Sequence, residues 1–168
     1  MKRLEFYIVD NGYIKYLQTF DKKVVDNSIE NKKDNRKFIG IILEVNGLKY
    51  IAPLTSPKPK HKVMKNSLDF LKLDKGELGA INFNNMLPIV DGACHRVNIN
   101  IEINNKYRNL LRKQITWCNE IKNKEKILKN AEKLHKEISI KRENSRFWNR
   151  SCNFILLEIE AKNYKEKI

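Results

Sequence analysis

No apolar stretch in this sequence approaches the roughly 20 residues needed to cross a bilayer. Charges follow the first methionine at once, in Met1-Lys2-Arg3-Leu4-Glu5, with no signal-peptide core, so a cytoplasmic protein is expected. Cysteine is scarce: Cys94, Cys118 and Cys152 are odd in number and far apart, which argues against a disulfide framework or a Cys-x-x-Cys zinc site. Buried reduced thiols are expected instead. His61, His95 and His135 never pair at metal-ligand spacing, and Cys94-His95 stands alone. Neither a Gly-x-x-x-x-Gly-Lys-Ser/Thr loop nor a Gly-x-Gly-x-x-Gly turn occurs, which disfavours nucleotide-binding folds. No cluster of Asp and Glu resembles a two-metal nuclease site. The expectation is no metal and no cofactor.

What the sequence does have is positive charge on a foldable chain. Its 168 residues, 41 % of them apolar, suit one domain over 1–168 with a modest core. Lys and Arg number 34 against 20 Asp and Glu, and the surplus is uneven. Residues 32–65 hold nine bases and two acids, and residues 106–168 hold 17 bases and eight acids. Two basic blocks on a folded chain point to a polyanion, nucleic acid being the commonest. The plainer reading is a solubility device on a chain that also carries 21 Asn.

The pattern along the chain predicts strands first and helices later. Glu5 to Val9 reads as a strand, broken by Asn11-Gly12. Tyr13, Leu17 and Phe20 then share a helical face, and residues 21–37 read as a long surface loop. Lys37 to Val45 and Leu48 to Pro53, joined by Asn46-Gly47, carry the signature of a tight type I′ hairpin. Pro53 is expected to end the second strand, and Thr55 to Lys65 to form a loop. Leu68–Leu73, Ala80–Phe83 and Leu87–Val90 read as three more strands. Tyr107, Leu110, Leu111, Ile115, Cys118 and Ile121 form one helical stripe, and Ile127, Leu128, Ala131, Leu134 and Ile138 another. A last helix follows Asn153, a good N-cap. The expected fold is α+β, a twisted, mainly antiparallel sheet with helices packed on it.

One segment concentrates reactive groups: Ala52-Pro53-Leu54-Thr55-Ser56-Pro57-Lys58-Pro59-Lys60-His61-Lys62. Proline restricts its own φ and the residue before it, so Ser56 and Lys58 should be extended. Donors on such a pre-shaped loop stay aimed, which favours a transition state over a flexible ground state. By pattern alone, a solvated basic turn after a strand is the better reading of the segment.

The hairpin and loop resemble the ToxN/AbiQ family, the endoribonuclease toxins of type III toxin–antitoxin systems, in Phe38-Ile39-Gly40-Ile41-Ile42-Leu43-Glu44 and Lys49-Tyr50-Ile51-Ala52-Pro53-Leu54-Thr55-Ser56-Pro57-Lys58. Further similarity lies in Tyr13-Ile14-Lys15-Tyr16-Leu17, in Ile81 to Ile89, in Tyr107 to Gln114 and in Cys152 to Glu158. The resemblance implies a fold similar to Kid/MazF toxins. It also implies metal-independent cleavage of adenine-rich RNA by a ribose 2′-hydroxyl, leaving a 2′,3′-cyclic phosphate. The implied partners are cellular or phage mRNA and a cognate pseudoknotted repeat RNA antitoxin, held with the toxin in a closed assembly.

Carried over by position, the resemblance implies catalytic roles for Thr55, Ser56 and Lys58, for Tyr13 and Tyr50, and for a base at Arg36 or Lys37. Lys60, His61, Lys62 and Lys65 continue the loop as expected RNA contacts. Lys113, Lys122, Lys126, Lys129, Lys133 and Lys136 on the outer helical faces are the expected grip on a phosphate backbone. The competing readings are a non-catalytic basic module for RNA or DNA and a protein whose basic helices meet an acidic partner.

Overall fold

The computed structural model describes residues 2–27 and 36–167. Strand β1 (Glu5–Val9) leads into helix α1 (Asn11–Gln18). The hairpin β2 (Phe38–Val45) and β3 (Leu48–Thr55) follows, then a one-turn helix α2 (Pro59–Val63). Four short strands come next: β4 (Phe70–Lys72), β5 (Ala80–Asn82), β6 (Leu87–Ile89) and β7 (Cys94–Arg96). Three helices complete the described chain: α3 (Asn105–Asn119), α4 (Ile121–Lys141) and α5 (Phe154–Lys167). The strands form one antiparallel sheet in the order β4-β5-β3-β2-β1-β7, with β6 also on β3. This is the α+β architecture expected from the sequence.

The hairpin turn has φ of 54° at Asn46 and 76° at Gly47, the positive pair that a type I′ turn demands. Pro53 does not end its strand, contrary to expectation. Leu54 donates its N–H to Lys37 O on the β2 side at 3.0 Å. Successive residues of a strand alternate sides, so the Pro53 nitrogen faces the opposite edge. There β6 reaches only to Ile51 and β5 begins only at Leu54. The missing donor falls in the gap between two partners, and β3 runs on to Thr55.

Other expectations need adjustment. Asn11 and Gly12 open α1 rather than breaking the chain, and Phe20 lies beyond the helix with its ring 5.2 Å from Tyr16. The expected loop over 21–37 is only partly described, because 28–35 lie outside the described residues. Its start is anchored: buried Asp21 accepts the Asn153 N–H at 2.7 Å, ahead of α5. Ile121 is exposed, because the chain turns at Glu120 between α3 and α4. Cys118 and Cys152 are buried free thiols, whereas Cys94 is only half-buried on the edge strand β7. That strand left no clear sequence signal, being three residues long with little apolar content. The Asn153 cap is present, its side chain accepting the Leu156 N–H at 3.2 Å.

One core lies between sheet and helices, and a polar knot ties it. Glu158 of α5 is buried, and its Oε1 takes the Tyr50 hydroxyl at 2.7 Å and His135 Nε2 at 2.6 Å. Its Oε2 takes the Asn46 amide at 2.9 Å. Burial alone pushes the Glu158 carboxyl up, but the hydrogen bonds from Tyr50, His135 and Asn46 hold it below the ordinary carboxylate range.

Removing Glu158 leaves His135, Tyr50 and Asn46 without their shared acceptor. Glu158→Ala is expected to lower unfolding free energy by about 3–5 kcal/mol, and Tyr50→Phe by about 1 kcal/mol. Because the folded carboxyl titrates below its unfolded value, its contribution is present above about pH 4.3 and is lost as pH falls through the folded value. Urea melts of the three proteins across pH 3–7 measure both effects. A Glu158→Ala melt that matches wild type would contradict the assignment.

Candidate active site

The end of β3 carries Thr55 and Ser56 half-exposed onto the surface. Lys58 is extended, with φ −133° and ψ 148°, as its position between two prolines predicts. Pro59 then occupies the first turn of α2, where a missing N–H costs nothing. The expected loop is therefore a loop with a helical turn inside it. Lys58, Lys60, Lys62 and Lys65 are exposed around it. Lys62 shares its charge with Glu77 at 2.9 Å, an exposed pair of small energetic weight.

His61 departs from the role expected of it. It is 2 % exposed and points into the loop. The Lys58 N–H donates to His61 Nδ1 at 3.2 Å, and Nε2 lies 3.4 Å from Thr55 Oγ1. Burial, together with the charges of Lys60 and Lys58, pushes the imidazole pKa below its ordinary value.

Two glycines with no role expected from the sequence form the floor. A Cβ on Gly79 would sit 2.0 Å from the Thr55 carbonyl oxygen, and one on Gly76 would sit 3.0 Å from the His61 carbonyl carbon. Both residues have φ of +98°, so the backbone conformation also requires glycine. Their sequence signal is only a turn at Lys75-Gly76. The close approach of two backbones, distant in sequence, leaves no local trace.

The structure separates Arg36 from Lys37. Phe38 faces Pro53 and the Lys37 carbonyl accepts from Leu54, so one further step brings Arg36 alongside Thr55. The Arg36 side chain is half-buried, and its Nε donates to the Asp26 carbonyl at 3.0 Å. Lys37 is buried, with its ammonium 5.6 Å from the Tyr107 ring centre. Lys37, also expected as an RNA contact, is therefore little exposed, and Arg36 is the more exposed of the two bases at this end of β2. Tyr107, expected only as a member of a helical stripe, is thus placed close to the site.

Tyr13 and Tyr50 are also displaced from the expected site. Both are fully buried. Tyr13 donates to the Pro88 carbonyl at 2.6 Å, and Tyr50 donates to Glu158. Burial raises both phenol pKa values. These hydroxyls hold the core, and neither meets solvent.

The helical lysines are exposed as expected. Lys126, Lys129 and Lys133 of α4 line a groove of about 430 Å³ with Asn66, Ser67 and Leu68. A neighbouring groove of about 400 Å³ shares Asn66 and Lys126 and adds Lys72, Lys75 and Trp117. Lys65, the last residue of the Thr55–Lys65 segment, immediately precedes Asn66 of both grooves. Lys113 lies on another groove beside Trp117, and Lys122 is exposed in the first turn of α4. A further groove of about 740 Å³ between β1, β7 and α3 contains none of the loop residues. Among the described residues, no three His, Cys, Asp or Glu side chains converge to hold a metal ion.

If the glycine floor holds the loop in shape, Gly79→Ala should destabilise the protein by more than about 1 kcal/mol and abolish RNA cleavage. Gly47→Ala is the control: its φ is +76° and a Cβ there meets nothing within 4 Å. It should carry only the left-handed cost, about 1–2 kcal/mol, with cleavage retained. Melting curves and a gel assay on both variants decide this. Equal activity in the two would show that the floor does not shape the site.

Known proteins share this fold. The family model described as "Toxin ToxN, type III toxin-antitoxin system" matches residues 5–162. The endoribonuclease ToxN of Pectobacterium atrosepticum is 32 % identical over 167 residues, covering 96 % of this chain and 94 % of its own. A solved structure of a type III toxin selectively inhibited by a non-coding RNA pseudoknot superposes with a TM-score of 0.84 at 25 % identity, covering 98 % of this chain and 99 % of its own. The structure of AbiQ, a lactococcal anti-phage endoribonuclease of a type III system, superposes at 0.83 with 26 % identity, covering 98 % and 99 %. No described helix is long and apolar enough to cross a membrane. The chain belongs to the ToxN family of type III toxin–antitoxin toxins.

Proposed function

We propose that this toxin is an endoribonuclease, inhibited by an RNA antitoxin, and that the loop Thr55–Lys58 is where it cuts. The observation that carries the reading is a loop that presents two hydroxyls and a lysine and is held from behind by His61 and Gly79, with Arg36 one register step beyond the β2–β3 pairing. The substrate is single-stranded, adenine-rich RNA of cellular or phage origin. The biological setting is phage defence by abortive infection, in keeping with its anti-phage relative.

The reaction is an in-line transfer without a metal. The ribose 2′-oxygen forms a bond to phosphorus as its proton leaves. The bond from phosphorus to the 5′-oxygen breaks, and that oxygen takes up a proton. The products are a 2′,3′-cyclic phosphate and a 5′-hydroxyl. Lys58 is the group assigned to proton transfer. Thr55 and Ser56 donate hydrogen bonds to the scissile phosphate, and Arg36 clamps its oxygens with a permanent charge and a two-pronged fork.

Inhibition uses a second surface. The pseudoknotted antitoxin repeat covers the catalytic loop with one unit, while the lysines of α4 hold a phosphate backbone in a closed protein–RNA assembly. Support comes from the groove lined by Lys126, Lys129 and Lys133, whose Asn66 directly follows the loop's last lysine in sequence.

Two variants separate the surfaces. Lys58→Ala should lower cleavage by about 10²-fold or more and abolish toxicity in cells without antitoxin, with folding unchanged. Charge reversal at Lys126, Lys129 and Lys133 should leave cleavage of a short RNA almost unchanged while weakening antitoxin binding. The slope of log affinity against log salt should become shallower by about 2–3, because each lost phosphate contact releases fewer counterions. Filter binding over a salt series and a short-substrate assay measure both. Growth arrest by a folded Lys58→Ala protein would move the site elsewhere, and normal antitoxin binding by the triple variant would reduce α4 to a solvated face.

A further inference from the structure

Both ring nitrogens of His61 are committed within the loop, and their partners fix the tautomer. Nδ1 lies 3.2 Å from the Lys58 backbone nitrogen. An amide N–H only donates, so Nδ1 carries the lone pair. A neutral imidazole has a single N–H, which must then sit on Nε2. That N–H lies against Thr55 Oγ1 at 3.4 Å, and the hydroxyl oxygen accepts it. A hydroxyl has one hydrogen and two lone pairs. With one lone pair engaged from behind, the Thr55 O–H is left to turn outward, to the half-exposed side of the loop.

We propose that His61 is a positioning residue: as the neutral Nε2–H tautomer it orients the Thr55 hydroxyl as a hydrogen-bond donor to the scissile phosphate. This rests on the loop being the cleavage site. It also excludes His61 from proton transfer, since in this tautomer Nε2 has no lone pair to receive a proton. The ring is 2 % exposed, so it does not meet RNA directly.

The surroundings keep the ring neutral. Lys58 and Lys60 flank it on its own turn, and burial adds to their effect. The Phe70 ring of β4 lies tilted against it, with the ring centres 5.9 Å apart. The turn 74–76, packed against α2, carries Asp74 and Lys75, and Glu77 beyond it is paired with Lys62. Lys72 of β4 reaches the Lys62 carbonyl at 3.4 Å. Protonating His61 would place a hydrogen on Nδ1, opposite the Lys58 N–H, and break the loop's internal bond. Activity should therefore fall on the acid side, below the ordinary imidazole value of about 6.5.

The test is a double-mutant cycle on a short RNA substrate. His61→Asn retains an acceptor near Nδ1 but falls short of Thr55, and should lower kcat about tenfold or more with KM unchanged. His61→Gln reaches Thr55 with an amide N–H and should recover part of the loss, and neither variant should show the acid limb. In a Thr55→Val background, His61→Asn should cost almost nothing further, because the partner through which it acts is gone. Multiplicative losses would overturn the proposal, as would a rise in KM alone, which would make His61 an RNA contact. Should Thr55→Val itself cleave at the wild-type rate, the loop is not the site, and the failure lies with that reading rather than with the His61 geometry. Circular dichroism and melting of every variant separate these outcomes from misfolding. If His61→Asn is unfolded, the His61→Gln cycle and its pH profile decide the same question.

Discussion

The candidate site depends on strand β3 being held to its last residue, by β2 as far as Leu54 and by β5 at Leu54 and Thr55. Its neighbours on one side are β6 and then β5, and on the other β2. Proline at 53 is compatible with that only because its absent N–H falls between β6 and β5. Had β6 been longer by a residue or two, a ladder bond would have been missing at that point, and proline in a central strand would have been costly. With the gap placed there, Leu54 and Thr55 stay in register, and the loop leaves the sheet from a fixed point. A site of hydroxyls and lysines needs such a point, because aimed donors act on a transition state only if they need not be reorganised.

The charge of the molecule is organised around this frame. Buried acids are tied to partners: Glu158 to His135, Tyr50 and Asn46, and Asp69 to Arg150 and Ser67. On the surface, Lys58, Lys60 and Lys65 of the loop and Lys126, Lys129 and Lys133 of α4 are exposed, whereas Lys62 and Lys141 each sit beside a glutamate. A formal net charge of +14, with these lysines exposed, draws RNA to the protein over a Debye length of about 8–10 Å. On the proposed reading the loop then does the cutting, so long-range attraction and local positioning fall to different residues and mutation can separate them.

Much of this was legible in the sequence, for physical reasons. Asn46-Gly47 between two β-branched runs permits little but a tight hairpin, and the apolar spacing of Leu111, Ile115 and Cys118 permits a buried helical face. Thr55, Ser56 and Lys58 stood out as a candidate only through the family resemblance, because residue type alone fits a solvated basic turn as well. Partnership was not visible. Tyr13, Tyr50 and His61 have polar tips that suit either solvent or a buried acceptor, and only tertiary contact shows that Pro88, Glu158 and Thr55 engage them. Gly79 acts through Thr55, more than twenty positions away, and β7 exists only because β1 offers an edge.

The chemistry of the cut ends tests the proposed reaction most directly. Purified, RNA-free protein should be incubated with a single-stranded adenine-rich RNA in excess EDTA, and the fragments analysed by mass spectrometry. In-line attack by the ribose predicts efficient cleavage, with 2′,3′-cyclic phosphate on one fragment, 5′-hydroxyl on the other, and no cut where the scissile ribose lacks its 2′-hydroxyl. Cleavage that disappears in EDTA and returns with magnesium, or that leaves a 5′-phosphate, would contradict it.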